Sequence, residues 1–428
     1  MKIYNTLTRK AGELNTLEPN YLGMYACGLT PYDYSHLGHA MQGVIFDVLR
    51  RYFEFKGFKV TYVRNYTDVD DKIINAANQK NINPLDLSKE MIDFINILLS
   101  KGVAYVTSSN NIYFRVNKFM DYGKLSNQKV EKLFEGVRKD TEPDKEDAKD
   151  FALWKASKPG EPFWNSPWGK GRPGWHLECS VMSKRYLGET FDIHGRGMDL
   201  IFPHHENEIA QSESAHGKAF AKFWVHNGLM TLNGEKMSKS TKNYVLLRDA
   251  LKRFHSQTIR YLILTNHYRS DHAYHDKRFR DGQMRVYYFY KTLAAHNYQY
   301  KAQKANLENK LIKQFIKYMD NDFSTVEVFS LLDRQFKMLN DGQLSGSEIT
   351  DFFDLLSVVG KVFGIFNKDP QEVLEEIKEL ELTRLNIDRE TINNVISERK
   401  TLREQGKYDE ADKLRDNLLS KEINVSDY

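Results

Sequence analysis

Cysteine is scarce in this chain, which contains only Cys27 and Cys179 among its 428 residues. So few cysteines argue against a disulfide framework of the kind that stabilises small secreted domains. We therefore expect a cytoplasmic protein in which both thiols are available for other chemistry.

Long apolar runs are also missing. No stretch reaches the roughly 18 consecutive apolar residues that a membrane-spanning helix needs, and the first segment, MKIYNTLTRKAGELN, lacks the apolar centre of a signal peptide. We therefore expect no membrane partner. The formal net charge of +4 is small, so it permits a nucleic-acid partner without requiring one.

Strands and helices alternate in the first third of the chain. The apolar run GMYACG predicts a buried strand, and the apolar residues after it recur at helical spacing up to Gly57. FKVTYVRN predicts a second strand, and TDVDDKIINAANQK predicts a second helix. This order predicts an α/β fold with a parallel sheet, in which ligands bind at the carboxyl ends of the strands. Cys27 lies at such an end.

The pattern changes after about residue 80. The charge-rich stretch KDTEPDKEDAKD predicts a solvated loop within an insertion. The sheet resumes with a helix in GWHLECSVMSKRYLG and a strand in FDIHG, and Asn233-Gly234 predicts a tight turn. Beyond about residue 245 the chain is rich in Lys and Glu and poor in glycine, which predicts helices to its end.

The segment FPHHENEIAQSE, residues 202–213, holds a dense set of candidate ligands. Proline is tolerated at the first helical position, so Phe202-Pro203 predicts a helix start that places His204 and Glu208 one turn apart on one face. Zinc accepts imidazole, carboxylate and thiolate ligands, so the two cysteines could complete a site. Alternatively, His204 and Glu208 could be a hydrogen-bonded pair on a helix surface, and the two cysteines could be small buried apolar side chains.

Two further segments indicate phosphate chemistry. TPYDYSHLGHA places His36, Gly38 and His39 between a strand and a helix, where backbone N–H groups attract phosphate and glycine allows a close approach. Two histidines there can stabilise charge on a reacting phosphate. KMSKS supplies two cations, Lys236 and Lys239, suited to a leaving pyrophosphate.

Taken together, these segments resemble class I aminoacyl-tRNA synthetases, and most closely the cysteinyl-tRNA synthetase family. The matching stretches are YACGLTPYDYSHLGHA, YVRNYTDVDDKI, GRPGWHLECSVM, FDIHGRGMDLIFPHHENEIAQSE, EKMSKS and ISERKTLREQGKYDEADKLRDNLL. The resemblance extends from the start of the chain to near residue 425.

The resemblance implies a set of site residues and ligands. One Zn²⁺ would be held by the residues that match the family's metal ligands, which are Cys27, Cys179, His204 and Glu208. His205 would shape the site rather than bind metal. Thr67 and Trp175 would line the amino-acid pocket, and Asp199 would bind the ribose of ATP. His36, His39, Lys236 and Lys239 would act on the phosphates, with Gly38 and Lys239 contacting ATP.

The implied reaction has two steps and needs ATP and Mg²⁺. Cysteine is first activated to cysteinyl-adenylate and then transferred to the 3′ end of tRNA-Cys. Neither step needs a protein nucleophile, so positioning and electrostatics carry the rate. The expected partners are therefore tRNA-Cys, L-cysteine and ATP, and the protein is expected to be a monomer.

The implied fold is a Rossmann-like (HUP-type) parallel-sheet catalytic domain with an inserted connective domain, followed by an all-α C-terminal bundle. We expect the catalytic domain in residues 1–88 and 170–220, with a shortened connective insertion in residues 89–169. The KMSKS loop and stem-contact region would occupy residues 221–280, the tRNA-binding bundle 281–375, and the anticodon-side helices 376–428.

Four features depart from the family's pattern. The insertion is short, Arg196 and Lys242 stand where relatives have glycine, and the chain stops at INVSDY without a Gly- and Trp-containing tail. Two alternatives remain open: a tRNA-independent cysteine ligase similar to the mycothiol-pathway enzyme, and a zinc-stabilised RNA-binding module without catalysis. Pyrophosphate exchange would exclude the module, and charging of tRNA would exclude the ligase.

Overall fold

The computed structural model describes residues 1–29, 34–66, 88–127, 144–159, 161, 163–238, 242–302 and 304–420. The chain divides into two compact units. The first comprises Met1–Leu247, Ile263–Tyr274 and Asn306–Leu332, and the second comprises Arg248–Leu262, His275–Ala305 and Asp333–Tyr428. The helix predicted in TDVDDKIINAANQK lies outside the described residues.

Strands and helices are numbered here along the chain. The strands are β1 (Lys2–Asn5), β2 (Lys10–Glu13), β3 (Tyr21–Leu29), β4 (Lys59–Tyr66), β5 (Ala104–Val106), β6 (Ile112–Phe114), β7 (Phe151–Ala156), β8 (Trp164–Ser166), β9 (Gly169–Pro173), β10 (Phe191–Gly197), β11 (Ala221–Asn227), β12 (Met230–Leu232), β13 (Glu235–Lys236) and β14 (His272–Tyr274). The helices are α1 (Leu37–Phe55), α2 (Ser88–Ser100), α3 (Trp175–Leu187), α4 (Glu206–His216), α5 (Leu247–Leu251), α6 (Ser256–Leu264), α7 (Asp276–Ala295), α8 (Lys310–Met319), α9 (Thr325–Asn340), α10 (Gly346–Phe363), α11 (Pro370–Leu385), α12 (Arg389–Glu404) and α13 (Tyr408–Ser420).

A parallel sheet with strand order β11-β10-β3-β4 lies within the first unit. Helix α1 connects β3 to β4, and α4 connects β10 to β11, since parallel neighbours need a crossover. The chain leaves β3 towards β4 on one side and later returns to β10 on the other. The strand order therefore reverses between β3 and β10, where sheets of this type bind ligands. The α/β prediction is confirmed.

Strands β3 and β4 approach each other closely beside Cys27. The backbone N–H of Gly28 donates a 2.7 Å hydrogen bond to Asn65 Oδ1, and the pairing register shifts between Ala26 and Leu29. A Cβ atom on Gly28 would lie 1.3 Å from the carbonyl oxygen of Asn65, so only glycine fits. This irregularity ends the regular pairing just after Cys27.

Helices cover both faces of the sheet. Helix α1 buries Met41, Ile45 and Phe46 at helical spacing, and a Cβ atom on Gly195 of β10 would lie 2.3 Å from the Phe46 ring. The helix ends before Gly57, whose φ of +92° suits glycine, as the sequence predicted. A buried cluster that includes residues from β3, α3, α4, β10 and β11 consists of Tyr25, Cys27, Leu125, Cys179, Phe191, Ile209, Phe220, Ala221 and Trp224.

The insertion contains an antiparallel sheet that the sequence analysis did not predict. Its strand order is β5-β6-β7-β9-β8. The prediction of a solvated loop in KDTEPDKEDAKD is wrong at Asp150, which is only 3% exposed and accepts hydrogen bonds from Tyr105 Oη and the Val116 N–H. These partners compensate the carboxylate for its loss of water. Residues 139–143 of that stretch lie outside the described residues.

A small third sheet has the order β13-β12-β14. Asn233 and Gly234, with φ of +54° and +81°, make the tight turn between β12 and β13, as the sequence predicted. Strand β14 interrupts the region expected to be wholly helical, because its residues pair in parallel with β12.

The second unit is helical. Its core is aromatic and aliphatic. Asp369 caps α11, and Pro370 takes the first helical position. Ser345 and Glu348 form a capping box at α10. The fully buried core side chains of this unit include Phe289, Tyr290, Leu293, Phe336, Phe352, Leu355, Val359, Phe363 and Val373. Across the described helices, none is long and apolar enough to cross a bilayer.

Candidate active site

Four side chains predicted as metal ligands meet at the carboxyl edge of the parallel sheet. Cys27 comes from β3, Cys179 from α3, His204 from the turn before α4, and Glu208 from α4. Their ligand atoms all lie within 4.8 Å of one another, and all four residues are buried. Residues more than 170 positions apart thus form one cluster.

The local backbone explains how His204 and Glu208 face the same way. Phe202 is extended, the Phe202-Pro203 peptide bond is cis, and the backbone becomes helical from Pro203 into α4. His204 and Glu208 are therefore one turn apart, and His204 Nε2 lies 2.7 Å from Glu208 Oε1. Pro203 is therefore the first residue of this helical segment, as the sequence predicted.

The cluster fits a zinc ion. Zinc bonds of 2.0–2.3 Å in a tetrahedral shell separate ligand atoms by roughly 3.3–3.8 Å. Cys27 Sγ lies 3.4 Å from Glu208 Oε1, within that range. The shorter contact from His204 to Glu208 is a hydrogen bond, which metal coordination by both groups would replace. A ligand set with two thiolates and one imidazole favours metals that prefer sulfur and nitrogen ligands, such as zinc.

A second group of four shares two members with the first. Cys27, His194, His205 and Glu208 also place their ligand atoms within 4.8 Å of one another. His194 Nε2 lies 2.7 Å from Glu208 Oε2, and His205 Nε2 lies 3.5 Å from Cys27 Sγ. The geometry by itself therefore offers two overlapping ligand sets.

Hydrogen bonds around the cluster favour the first set. In that set Glu208 would bind the metal through Oε1, while His194 contacts its other oxygen, Oε2. His204 would bind through Nε2, while His176 lies 2.8 Å from its other ring nitrogen, Nδ1. Partners of this kind fix the orientation of metal ligands. The second set would use His194 as a ligand and leave Cys179 without a role.

The electrostatics of the cluster prepare it for a cation. Burial lowers the pKa of His204, but the nearby Glu208 carboxylate and Cys179 thiol together outweigh burial and raise this pKa to about 10. Burial likewise opposes ionisation of Glu208, yet the imidazoles of His194 and His204 hold its pKa well below the usual range. A hydrogen bond from Cys27 lowers the pKa of Cys179 to about 6, despite burial. The pocket thus holds a thiolate, a carboxylate and a protonated His204, whose proton a bound divalent cation would displace.

Trp175, an expected pocket residue, begins α3 and remains 39% exposed. Its indole stacks on the His204 ring with 4.5 Å between centroids. It therefore lies over the cluster of candidate ligands on its solvent side. Thr67, the other expected pocket residue, lies outside the described residues.

The expected phosphate-binding residues lie at the start of α1. His36 precedes the helix, and its ring stacks on that of His39 with 3.7 Å between centroids. Gly38 lies between them, and a Cβ atom there would approach the His36 ring within 2.9 Å. The positive end of a helix dipole attracts anions, so this end suits a phosphate.

The structure describes one of the two KMSKS lysines, Lys236, together with Asp199, the acid expected to bind the ribose. Lys236 Nζ lies 2.8 Å from Asp199 Oδ2, and both side chains are partly exposed. Lys239 lies outside the described residues. Lys242 stands where the resemblance expects glycine, and its φ is +55°. This left-handed conformation costs a residue with a side chain, such as lysine, about 1–2 kcal/mol relative to glycine.

Three buried histidines near the cluster were not predicted from the sequence: His176, His194 and His226. His205, expected to shape the site rather than bind metal, lies beside them. His205 Nδ1 lies 2.8 Å from His226 Nε2, and burial lowers the pKa of His226 to about 3. A histidine inside an otherwise apolar strand, as in FDIHG and FWVHN, was the available signal.

Comparison with known families and sequences gives consistent matches. The family described as "tRNA synthetases class I (C) catalytic domain" matches residues 13–92 and 82–284. A cysteine–tRNA ligase of Thermodesulfovibrio yellowstonii is 40% identical over 478 aligned positions. One of Geobacter metallireducens is 41% identical over 474. Each alignment covers 100% of this chain and 98% of the relative.

Solved structures show the same fold at low sequence identity. Mycobacterium tuberculosis methionyl-tRNA synthetase in complex with methionyl-adenylate matches with a TM-score of 0.52 at 13% identity, over 86% of this chain and 94% of that one. A second structure of that enzyme bound by methionyl-adenylate gives a TM-score of 0.53 at 12% identity, over 83% and 93%.

Proposed function

This chain belongs to the cysteine–tRNA ligases, a family of class I aminoacyl-tRNA synthetases, and we propose that it selects its amino acid through a zinc ion held by Cys27, Cys179, His204 and Glu208. The enzyme joins cysteine to tRNA, and the family implies ATP and Mg²⁺. The convergence of four buried ligand atoms within 4.8 Å carries the zinc proposal.

The chemistry of the ligands accounts for selectivity. When bound, zinc would supply a Lewis acid that deprotonates and holds a thiol. A sulfur-favouring site accepts the hydroxyl of serine poorly. A site built around one such contact can reject an analogue lacking it by about 10⁴–10⁵ without editing.

The remaining site residues act on the substrates by position and charge. A cysteine carboxylate oxygen bonds to the α-phosphorus of ATP while the bond to the β-phosphate oxygen breaks, which releases pyrophosphate. His36, Gly38 and His39 would hold the phosphates at the start of α1, and Lys236 and Lys239 would stabilise the leaving pyrophosphate. A ribose hydroxyl at the tRNA end then attacks the cysteinyl carbonyl, and AMP leaves.

Three residues would complete the pocket. Asp199 would accept hydrogen bonds from the ribose of ATP, so its 2.8 Å contact with Lys236 would have to open when ATP binds. Thr67 and Trp175 would enclose the amino acid, and the Trp175 indole on the His204 ring supports this.

The tRNA would bind along the helical end of the chain. We propose the six-part division given above, with the bundle in 281–375 and anticodon-side helices in 376–428. The enzyme would act as a monomer in the cytoplasm, where its two thiols stay reduced.

Metal analysis and activity assays together test the zinc proposal. Cys179→Ser and Glu208→Gln should each lower bound zinc and cysteine-dependent pyrophosphate exchange. Glu189→Gln, which changes an exposed ion pair with Lys218, is the matched control and should behave as the wild type. Full zinc content and normal exchange in both site variants would contradict the ligand assignment.

A charging assay tests the tRNA step separately. Wild-type protein should attach cysteine, but not serine, to tRNA-Cys. Exchange without charging would instead indicate a tRNA-independent ligase.

A further inference from the structure

Arg196 lies beside the metal ligands, at the carboxyl end of β10. Its Nη1 donates a 2.7 Å hydrogen bond to the carbonyl oxygen of Cys27. The half-buried guanidinium therefore lies at the edge of the sheet between β10 and β3, where the strand order reverses. Ligands bind in this crevice in sheets of this type.

Arg196 forms no ion pair within the part of the chain that the structure describes. Among the described residues, no carboxylate lies within 4.0 Å of its guanidinium. Asp199 attracts it from farther away but is paired with Lys236. Arg64 is a second cation close enough to act on Arg196 electrostatically. A second cation thus strengthens a positive field that an anionic ligand would neutralise.

The hydrogen bond to Cys27 does not by itself explain an arginine here. Gln42 Nε2 donates to the same carbonyl oxygen at 2.9 Å, so an uncharged side chain already holds this strand end. A guanidinium carries five N–H donors in a planar fork. Within the described part of the chain Arg196 uses one donor group, Nη1, which leaves others for a ligand.

The geometry of Cys27 indicates which anion fits. Its Sγ lies 3.4 Å from Glu208 Oε1, while its carbonyl oxygen meets Arg196. This residue therefore spans from the metal ligands to the guanidinium. A cysteine substrate has the same number of bonds between its sulfur and its carboxyl group, so it has the same reach. The guanidinium fork matches a carboxylate with two parallel hydrogen bonds.

We propose that Arg196 binds the carboxylate of the amino-acid substrate, so that the metal holds one end of cysteine and the guanidinium holds the other. This inference rests on the proposed function. Arg196 would then determine both the affinity for cysteine and the position of the carboxylate oxygen that attacks ATP.

Calorimetry on the zinc-loaded protein tests the inference without ATP. The two ligands are L-cysteine and cysteamine, which lacks the carboxylate. The wild type should prefer L-cysteine, and Arg196→Ala should weaken L-cysteine binding about tenfold to hundredfold, the worth of a charge-assisted hydrogen bond, while leaving cysteamine binding unchanged. Arg196→Lys should lie between them, because lysine keeps the charge but not the planar fork.

Gln42→Leu provides the matched control for a purely structural effect. It removes the other hydrogen bond to the Cys27 carbonyl oxygen and should change both affinities equally. The inference is overturned if Arg196→Ala also weakens both ligands equally, since the residue would then act through Cys27. It is overturned too if L-cysteine affinity is unchanged and only the KM for ATP rises in pyrophosphate exchange, which would assign the guanidinium to phosphate.

Failure of the proposed function would be recognised separately. In that case the zinc-loaded wild type would bind L-serine as well as L-cysteine. The carboxylate comparison would then be made with L-serine and ethanolamine, and Arg196→Ala should still remove the preference for the carboxylate.

Discussion

The two overlapping ligand sets make opposite predictions for His194. Its Nε2 lies 2.7 Å from Glu208 Oε2, and both side chains are fully buried. If Cys27, Cys179, His204 and Glu208 hold the ion, His194 only orients the carboxylate. His194→Ala then leaves Oε2 without its hydrogen-bond donor in a place that water does not reach.

The size of this effect follows from the contact. A hydrogen bond to a charged group contributes about 1.5–3 kcal/mol, which corresponds to a roughly tenfold to 150-fold loss of zinc affinity. This agrees with the typical cost, about tenfold to hundredfold, of removing a partner that orients a metal ligand. His194→Gln keeps an N–H donor of similar reach and should retain nearly wild-type affinity.

Competition with a chromophoric zinc chelator measures these affinities, and circular dichroism shows that each variant is folded. Under the first ligand set, Cys179→Ser loses zinc and His194→Gln keeps it. Under the second set, with Cys27, His194, His205 and Glu208, the outcome is reversed. Zinc retained by Cys179→Ser and lost from His194→Gln would refute the assignment made here.

Three further predictions concern stability and turnover. Burial keeps His226 neutral by lowering its pKa to about 3, so between roughly pH 6.5 and 3 the unfolded chain binds one more proton than the folded chain. The free energy of unfolding should therefore decrease as the pH is lowered through this range, by up to about 1.4 kcal/mol per pH unit from this group. Chemical denaturation at several pH values should show a shallower pH dependence for His226→Asn. Gly195→Ala should destabilise the protein by about 1–3 kcal/mol in urea, because the added Cβ would lie 2.3 Å from the Phe46 ring. Lys239→Ala should lower the rate of adenylate formation more than it weakens cysteine binding, because the charge is needed as pyrophosphate departs.

Each of these has its own contrary outcome. His296→Asn, a change outside the buried histidine cluster, serves as the control for the pH series, and an unchanged slope in His226→Asn would contradict the neutral assignment. Wild-type stability in Gly195→Ala would show that the contact with Phe46 relaxes freely. Unaltered single-turnover rates in Lys239→Ala would remove that lysine from the pyrophosphate step.

The sequence by itself determined the features that depend on near neighbours. Alternating apolar runs indicated the parallel sheet, because strand and helix periodicities are local. The pairing of His204 with Glu208 followed from the four-residue spacing of one helical turn. The turn at Asn233-Gly234 followed from the preference of these residues for positive φ. The resemblance to a family favoured zinc coordination by the two cysteines over burial as apolar side chains, a choice that spacing had left open.

Only the tertiary structure decided which distant side chains meet. Asp150 belongs to a charged stretch, yet the insertion's sheet buries it against Tyr105. His194 approaches Glu208, and Arg196 approaches Cys27, because β10 packs beside β3 in a particular register. A shift of one residue in that register would turn these side chains to the opposite face. Contacts between residues far apart in the chain depend on packing as a whole, which no short stretch of sequence encodes.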